Sequence, residues 1–113
     1  MNELKIISLN NCPYSMAAEE LIKTFKNIKD NKINVNILNV TQEDKSKYKS
    51  SEIETFPQIY FNNILIGGYD NFNEIYLDIK GIKNLDKMIK IIQNKTSVHN
   101  RKDMLRLIKF LIN

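Results

Sequence analysis

The sequence predicts an α/β domain organised on a mixed sheet of four strands, and three observations carry that prediction. A short apolar run from Leu4 to Leu9 precedes a stretch in which Ala17, Leu21, Thr24, Phe25 and Ile28 recur at helical spacing. Ile33, Val35 and Ile37 then alternate with Asn34 and Asn36. The order strand, helix, strand implies a parallel pair with a right-handed crossover. Further on, Gln58–Phe61 and Ile64–Ile66 flank Asn62-Asn63, a dipeptide suited to the tight turn of a hairpin. A chain of 113 residues is one domain on size grounds and long enough for a two- or three-layer core.

Taken in order, residues 3–9 form the first strand and residues 13–29 the first helix. Pro13 fits the first helical position, where a missing N–H costs nothing and φ is already suitable. Asp30-Asn31-Lys32 ends that helix, and the second strand continues through Leu38 to Val40. Residues 42–51 are polar and charged around one bulky anchor, Tyr48, and read as a short surface helix. Pro57 heads the third strand, an entry position that tolerates proline. Gly67-Gly68 ends the sheet.

Beyond the glycines, Phe72, Ile75, Tyr76 and Ile79 fall at helical spacing, with Asn71 and Glu74 placed as a variant capping box. Gly81 breaks that helix, and Leu85, Met88, Ile89 and Ile92 give the next one its buried face. The body of the domain is expected to close near Asn94, making residues 1–94 one unit and residues 95–113 an extension. In that extension Lys95–His99 reads as a linker. A last amphipathic helix from Asn100 sets Met104, Leu105, Ile108, Leu111 and Ile112 against Arg101, Lys102, Arg106 and Lys109. Its apolar side is expected to pack on the domain or on a second subunit.

Composition, at 42% hydrophobic and 27% charged, is that of an ordinary soluble protein. No apolar run approaches the ~18 residues of a membrane span, and the start of the chain lacks the basic-then-apolar layout of a signal peptide, so no membrane partner is expected. One cysteine excludes an internal disulfide and fits a reducing compartment, hence a cytoplasmic location. The net charge of +4 is unevenly spread: residues 80–113 hold nine Lys/Arg and two Asp, whereas residues 1–79 hold eight basic and eleven acidic residues. A solvated helical face accounts for the basic end, and attraction to nucleic acid or an acidic partner is the alternative. Basic residues interleaved with aromatics are absent, so nucleic acid is not an expected partner. His99 and Cys12 alone cannot make a zinc site, and no metal site is expected.

The stretch with chemistry in it is Asn11-Cys12-Pro13-Tyr14-Ser15, which sets the only cysteine where a strand ends and a helix begins. Cys12 would be the N-cap residue. A sulfur there faces unsatisfied N–H groups and the positive end of the helix dipole, which favour thiolate over thiol. Most free cysteines are small buried hydrophobes. Flanked by Asn11 and Pro13, this one is poorly placed for a core, and the five residues alone leave a reactive thiol and a packing group both open.

The order of elements, with Cys12-Pro13-Tyr14-Ser15 after the first strand, resembles the glutaredoxin family of the thioredoxin fold. Two more motifs carry the likeness in the right order: Thr55-Phe56-Pro57-Gln58-Ile59-Tyr60, where the family has Thr-Val-Pro, and Gly67-Gly68-Tyr69-Asp70. The resemblance covers residues 3 to about 94 and implies a thioredoxin-like three-layer fold, ordered strand, helix, strand, helix, strand, strand, helix, helix, plus the extra C-terminal helix. It also implies a glutathione-disulfide oxidoreductase, with glutathione as co-substrate and glutathionylated or disulfide-containing proteins as partners. By the same likeness Cys12 is the nucleophile, within a catalytic motif completed by Pro13, Tyr14 and Ser15. The glutathione site would comprise Tyr14 as a wall beside the sulfur, Thr55, Phe56 and a cis Pro57 presenting backbone to the tripeptide, and Gly68, Tyr69 and Asp70. Asp70 would meet the α-ammonium of the γ-glutamyl group. Taken alone, Pro57 reads as a strand-entry residue and Gly67 to Asp70 as a turn with a helix cap.

Ser15 departs from the dithiol members, whose second cysteine resolves mixed disulfides. The resemblance therefore implies a monothiol route in which glutathione is the resolving thiol and the Ser15 hydroxyl donates to the Cys12 thiolate. Leu9 stands where many members have a lysine, and Glu54 where some have a basic residue. These losses point to weak activity unless Lys45, Lys47 or Lys49 supplies the charge. Two other classes stay open: a glutathione-ligated [2Fe-2S] carrier formed by a dimer, and a redox-weak interaction module using the basic C-terminal helix. A monomer or weak dimer is expected.

Overall fold

The computed structural model describes residues 2–112; Met1 and Asn113, the outer limits of the two expected segments, lie outside the described residues. Four strands form one mixed sheet in the order β2-β1-β3-β4. β1 (Glu3–Leu9) runs parallel to β2 (Asn34–Val40) and antiparallel to β3 (Gln58–Phe61), which pairs in turn with β4 (Ile64–Gly67). The hairpin turn is Asn62-Asn63, both at positive φ (49° and 67°), the geometry that a two-residue turn between twisted strands demands. Asn62 also accepts from Glu3 N through its side chain at 2.8 Å, locking the turn to the start of β1.

Leu4 and Ile6 pair with Phe61 and Ile59, and all four side chains point into the core without solvent contact. That face of the sheet carries the helices. On the opposite face Lys5 and Tyr60 are half-buried, and residues 42–51 supply only a single 3₁₀ turn, Lys45–Tyr48, in place of the expected helix. The turn is held by buried Gln58, whose Nε2 donates to the Tyr48 carbonyl at 2.8 Å. A segment of lysines and serines around one tyrosine has too little apolar surface to fasten a longer helix.

The first helix is interrupted. α1 (Pro13–Lys23) ends at Thr24, whose hydroxyl donates to Leu21 O at 2.6 Å, and the single turn α2 (Lys26–Lys29) follows after an extended Phe25. Phe25 turns inward to Tyr76 at 4.9 Å, Phe110 at 4.8 Å and Phe72 at 6.0 Å between ring centroids. Burying that ring among three others outweighs the few hydrogen bonds a continuous helix would keep. The buried face of α1 is accordingly Ser15, Ala18 and Ile22, while Ala17 and Leu21 are half-buried.

α3 (Tyr69–Lys80) begins three residues earlier than a cap at Asn71 would allow, because Gly68 is its N-cap. Its buried residues are Phe72, Ile75 and Ile79. α4 (Leu85–Lys95) is capped by Asn84, whose side chain accepts from Lys87 N, and it buries Met88, Ile89 and Ile92 but leaves Leu85 exposed. The supposed linker is structured at both ends: Lys95 closes α4, and Val98 is fully buried. α5 (Arg101–Ile112) packs on α3 and α4 within the same core as β1, burying Met104, Leu107, Ile108, Phe110 and Leu111. Leu107 and Phe110 replace Leu105 and Ile112 of the expected stripe, rotating the buried face towards Phe25 and Phe61. Among the described residues no helix is long and apolar enough to cross a membrane.

Candidate functional site

Cys12 is the N-cap residue of α1 and is partly exposed. Asn11, at φ 61°, turns the chain sharply after β1, and Cys12 N donates to Leu9 O at 3.3 Å. Pro13 takes the first helical position, and Met16 N donates to Cys12 O at 3.0 Å. The sulfur itself makes no capping bond to the helix; it lies 3.9 Å from the Phe56 carbonyl oxygen, to which its S–H donates. That contact, rather than the first-turn N–H groups, orients it.

Ser15 behaves differently from expectation. Its side chain is fully buried and its Oγ accepts from Leu9 N at 3.0 Å, so the hydroxyl serves the end of β1 instead of the sulfur. One helical turn of α1 therefore divides its polar residues: Cys12 outward, Ser15 inward. Tyr14 and Met16, both in the first turn of α1, are 57% and 61% exposed.

Phe56–Pro57 is cis, as the resemblance implied. Beside it runs a groove of about 790 Å³. It is lined by Tyr14 from α1, by Glu52 to Phe56 before β3, by Leu65 to Gly68 of β4 and its end, and by Tyr69 to Asn71 of α3. Six of the residues expected to bind glutathione thus share one wall system: Tyr14, Thr55, Phe56, Gly68, Tyr69 and Asp70. Pro57 is buried behind it, and Cys12 stands at its edge through Phe56 and Tyr14. Gly67 has φ +136°, which only glycine adopts readily, and a Cβ there would come within 2.9 Å of Asn71 Cβ. Gly68 has no such constraint.

The far wall was not legible in the sequence. It consists of Asn94, Lys95, Thr96 and Ser97, where α4 ends and the chain turns towards α5. Lys95 Nζ is held by Glu74 Oε1 at 2.5 Å and Asp78 Oδ2 at 2.8 Å, and these two carboxylates, Asp78 first, raise its pKa. Thr96 Oγ1 donates to Ile92 O at 2.7 Å and accepts from Val98 N at 3.0 Å. Lys45, Lys47 and Lys49 are not among the lining residues, and Lys47 pairs with Asp44 at 3.1 Å. Three carboxylates, Glu52, Glu54 and Asp70, line the groove against one cation, Lys95.

Comparison with known proteins agrees with this geometry. The Glutaredoxin family model matches residues 4–66. Glutaredoxin 1 of Rickettsia felis is 35% identical over 92 residues, spanning 80% of this chain and 83% of its own length. Glutaredoxin 1 of Rickettsia prowazekii is 37% identical over 93 residues, covering 80% of this chain and 90% of that protein. Glutaredoxin 1 of Escherichia coli is 30% identical over 71 residues, 59% of this chain and 84% of its own. The crystal structure of glutaredoxin 1 from Francisella tularensis complexed with cacodylate superposes with a TM-score of 0.53 at 22% identity, over 73% of this chain and all of that one, a likeness of fold. With its sheet order, its cysteine at a helix start beside a cis-proline and these relatives, the chain belongs to the glutaredoxin family of thioredoxin-fold thiol–disulfide oxidoreductases.

Proposed function

We propose that this protein is a monothiol, glutathione-dependent oxidoreductase acting through Cys12. The observation that carries the reading is the placement of a single, accessible sulfur at the edge of a groove formed by Tyr14, Thr55, Phe56, Gly68, Tyr69 and Asp70.

In the first step the Cys12 thiolate attacks the glutathione sulfur of a mixed disulfide. The bond between glutathione and the substrate thiol breaks, the substrate leaves as thiolate and takes a proton, and Cys12 keeps the glutathionyl group. In the second step a glutathione thiolate attacks that group, forming glutathione disulfide and releasing Cys12. Summed over both steps, one mixed disulfide and one free glutathione give the substrate thiol and one glutathione disulfide, and Cys12 is regenerated. Ser15 cannot resolve the intermediate, having no thiol, so the second glutathione is obligatory. Family membership supports the chemistry; the single cysteine supports the monothiol route.

The tripeptide would pair with the backbone of Phe56 as an added strand, while Asp70, in the first turn of α3, would receive the γ-glutamyl ammonium. Tyr14 would close the side nearest the sulfur. Pro57 and Gly67 shape the backbone around that ligand and need not touch it.

Incubation with oxidised glutathione followed by intact-mass measurement tests the proposal. One glutathionyl adduct, on Cys12 and removed by fresh glutathione, is expected, with none on Cys12→Ser. Turnover of a glutathione mixed disulfide by Cys12→Ser at the wild-type rate would refute it.

A further inference from the structure

Sequence departures at Leu9 and Glu54 leave the groove without the basic residues expected near an anionic tripeptide, and the lysines of residues 45–49 do not replace them. One cation does line it, from an unexpected place. Lys95 is the last residue of α4, and its ammonium meets Glu74 and Asp78 on α3. Asp70, Glu74 and Asp78 succeed one another at four-residue intervals, so they form one stripe along α3 with about 5.4 Å between turns. The turn next to Asp70 is therefore the one that Lys95 occupies.

An ammonium has three N–H donors, and Glu74 and Asp78 take two. The third is left for a ligand, on a side chain still 36% exposed. A γ-glutamyl terminus is a zwitterion, with an α-ammonium and an α-carboxylate on the same carbon. An acidic side chain one helical turn from a lysine is complementary to such a pair.

We infer that Lys95, held by Glu74 and Asp78, is a binding residue of the groove, its remaining donor taking the γ-glutamyl α-carboxylate while Asp70 takes the ammonium. The carboxylate pair keeps the lysine charged but competes with the ligand for it; the anchoring of the following turn by Thr96 and buried Val98 fixes the position from which it reaches. The inference rests on the glutathione reading above and extends the site to the end of α4.

Steady-state kinetics with two substrates tests it: the mixed disulfide of glutathione and the mixed disulfide of cysteinylglycine, which lacks the γ-glutamyl group. Lys95→Gln is expected to raise KM for the glutathione substrate about three- to fivefold, the scale of one solvent-exposed charged contact, with kcat retained. KM for the cysteinylglycine substrate should not change, and Lys95→Arg should restore the first KM. The double variant Glu74→Gln/Asp78→Asn breaks the same bridge but frees the charge, so its KM for the glutathione substrate should fall. If that variant raises KM as Lys95→Gln does, or if Lys95→Gln affects both substrates equally, the lysine merely braces the wall and the inference fails. Absence of turnover by the wild-type protein would instead overturn the glutathione reading itself.

Discussion

Ser15 Oγ accepts a hydrogen bond from the Leu9 backbone N–H at 3.0 Å, in a position with no solvent access. β1 has ended at Leu9, and this side chain supplies the partner that the strand's last N–H needs, while the same turn of helix sends Cys12 outward. Ser15→Ala should leave that N–H buried and unpaired, costing about 1–3 kcal/mol in a urea unfolding experiment. A stability equal to wild type would show that water or a backbone shift takes over the bond.

Gly67 joins β4 to α3 at φ +136°, against Asn71. Gly67→Ala is expected to destabilise the fold by about 1–3 kcal/mol through backbone strain alone. Asn71→Gly in the same background removes the side-chain clash, Cβ included, but leaves the Gly67 strain, so recovery should be partial. Full recovery on thermal melting would assign the whole effect to the contact.

Deleting residues 100–113 should unfold the protein. Met104, Leu107, Ile108, Phe110 and Leu111 belong to the main core, and each is worth about 1.5–3 kcal/mol, so together they rival the entire stability of a small domain. By contrast, replacing exposed Arg101, Lys102 and Lys109 with glutamine should shift stability by about 0.5 kcal/mol or less. Circular dichroism of the two variants separates them; a folded truncation would mean that α5 is an appendage. The same triple variant, being folded, is the proper probe of binding to polyanions by the basic face.

Tyr60 should ionise above the ordinary range of a tyrosine. Burial, with the Glu52 charge adding to it, raises its pKa above the ordinary 10.0, so the fold favours the protonated phenol. The unfolded chain ionises first, and its loss of a proton pulls the equilibrium towards unfolding. The contribution is fully present below pH 10.0 and disappears as the pH climbs through the folded value. The difference in tyrosinate absorbance between wild type and Tyr60→Phe, followed against pH, should show the missing group titrating above 10.0.

What could be read from the residues is what local physics encodes. The bounds of β1 came from a run of apolar residues ending at Asn10-Asn11, the hairpin from two asparagines that tolerate positive φ, and the start of α1 from Pro13. Three motifs in order were enough to point to the glutaredoxin family, because each marks a local backbone arrangement. The break at Phe25 was invisible: its helical spacing with Leu21 and Ile28 is genuine, and only Phe72, Tyr76 and Phe110, brought from distant elements, make a non-helical conformation more favourable there.

The candidate site divides in the same way. The sequence by itself determined that the chain's one sulfur sits at a helix start, with a serine where a second thiol would stand. The tertiary structure alone decided that Ser15 faces inward, that the sulfur turns to Phe56 O, and that Lys95 from the end of α4 lines the same groove as Asp70. Periodicity reports which side of a helix is apolar; which distant charge that side meets depends on how helices pack, and packing is a property of the whole chain.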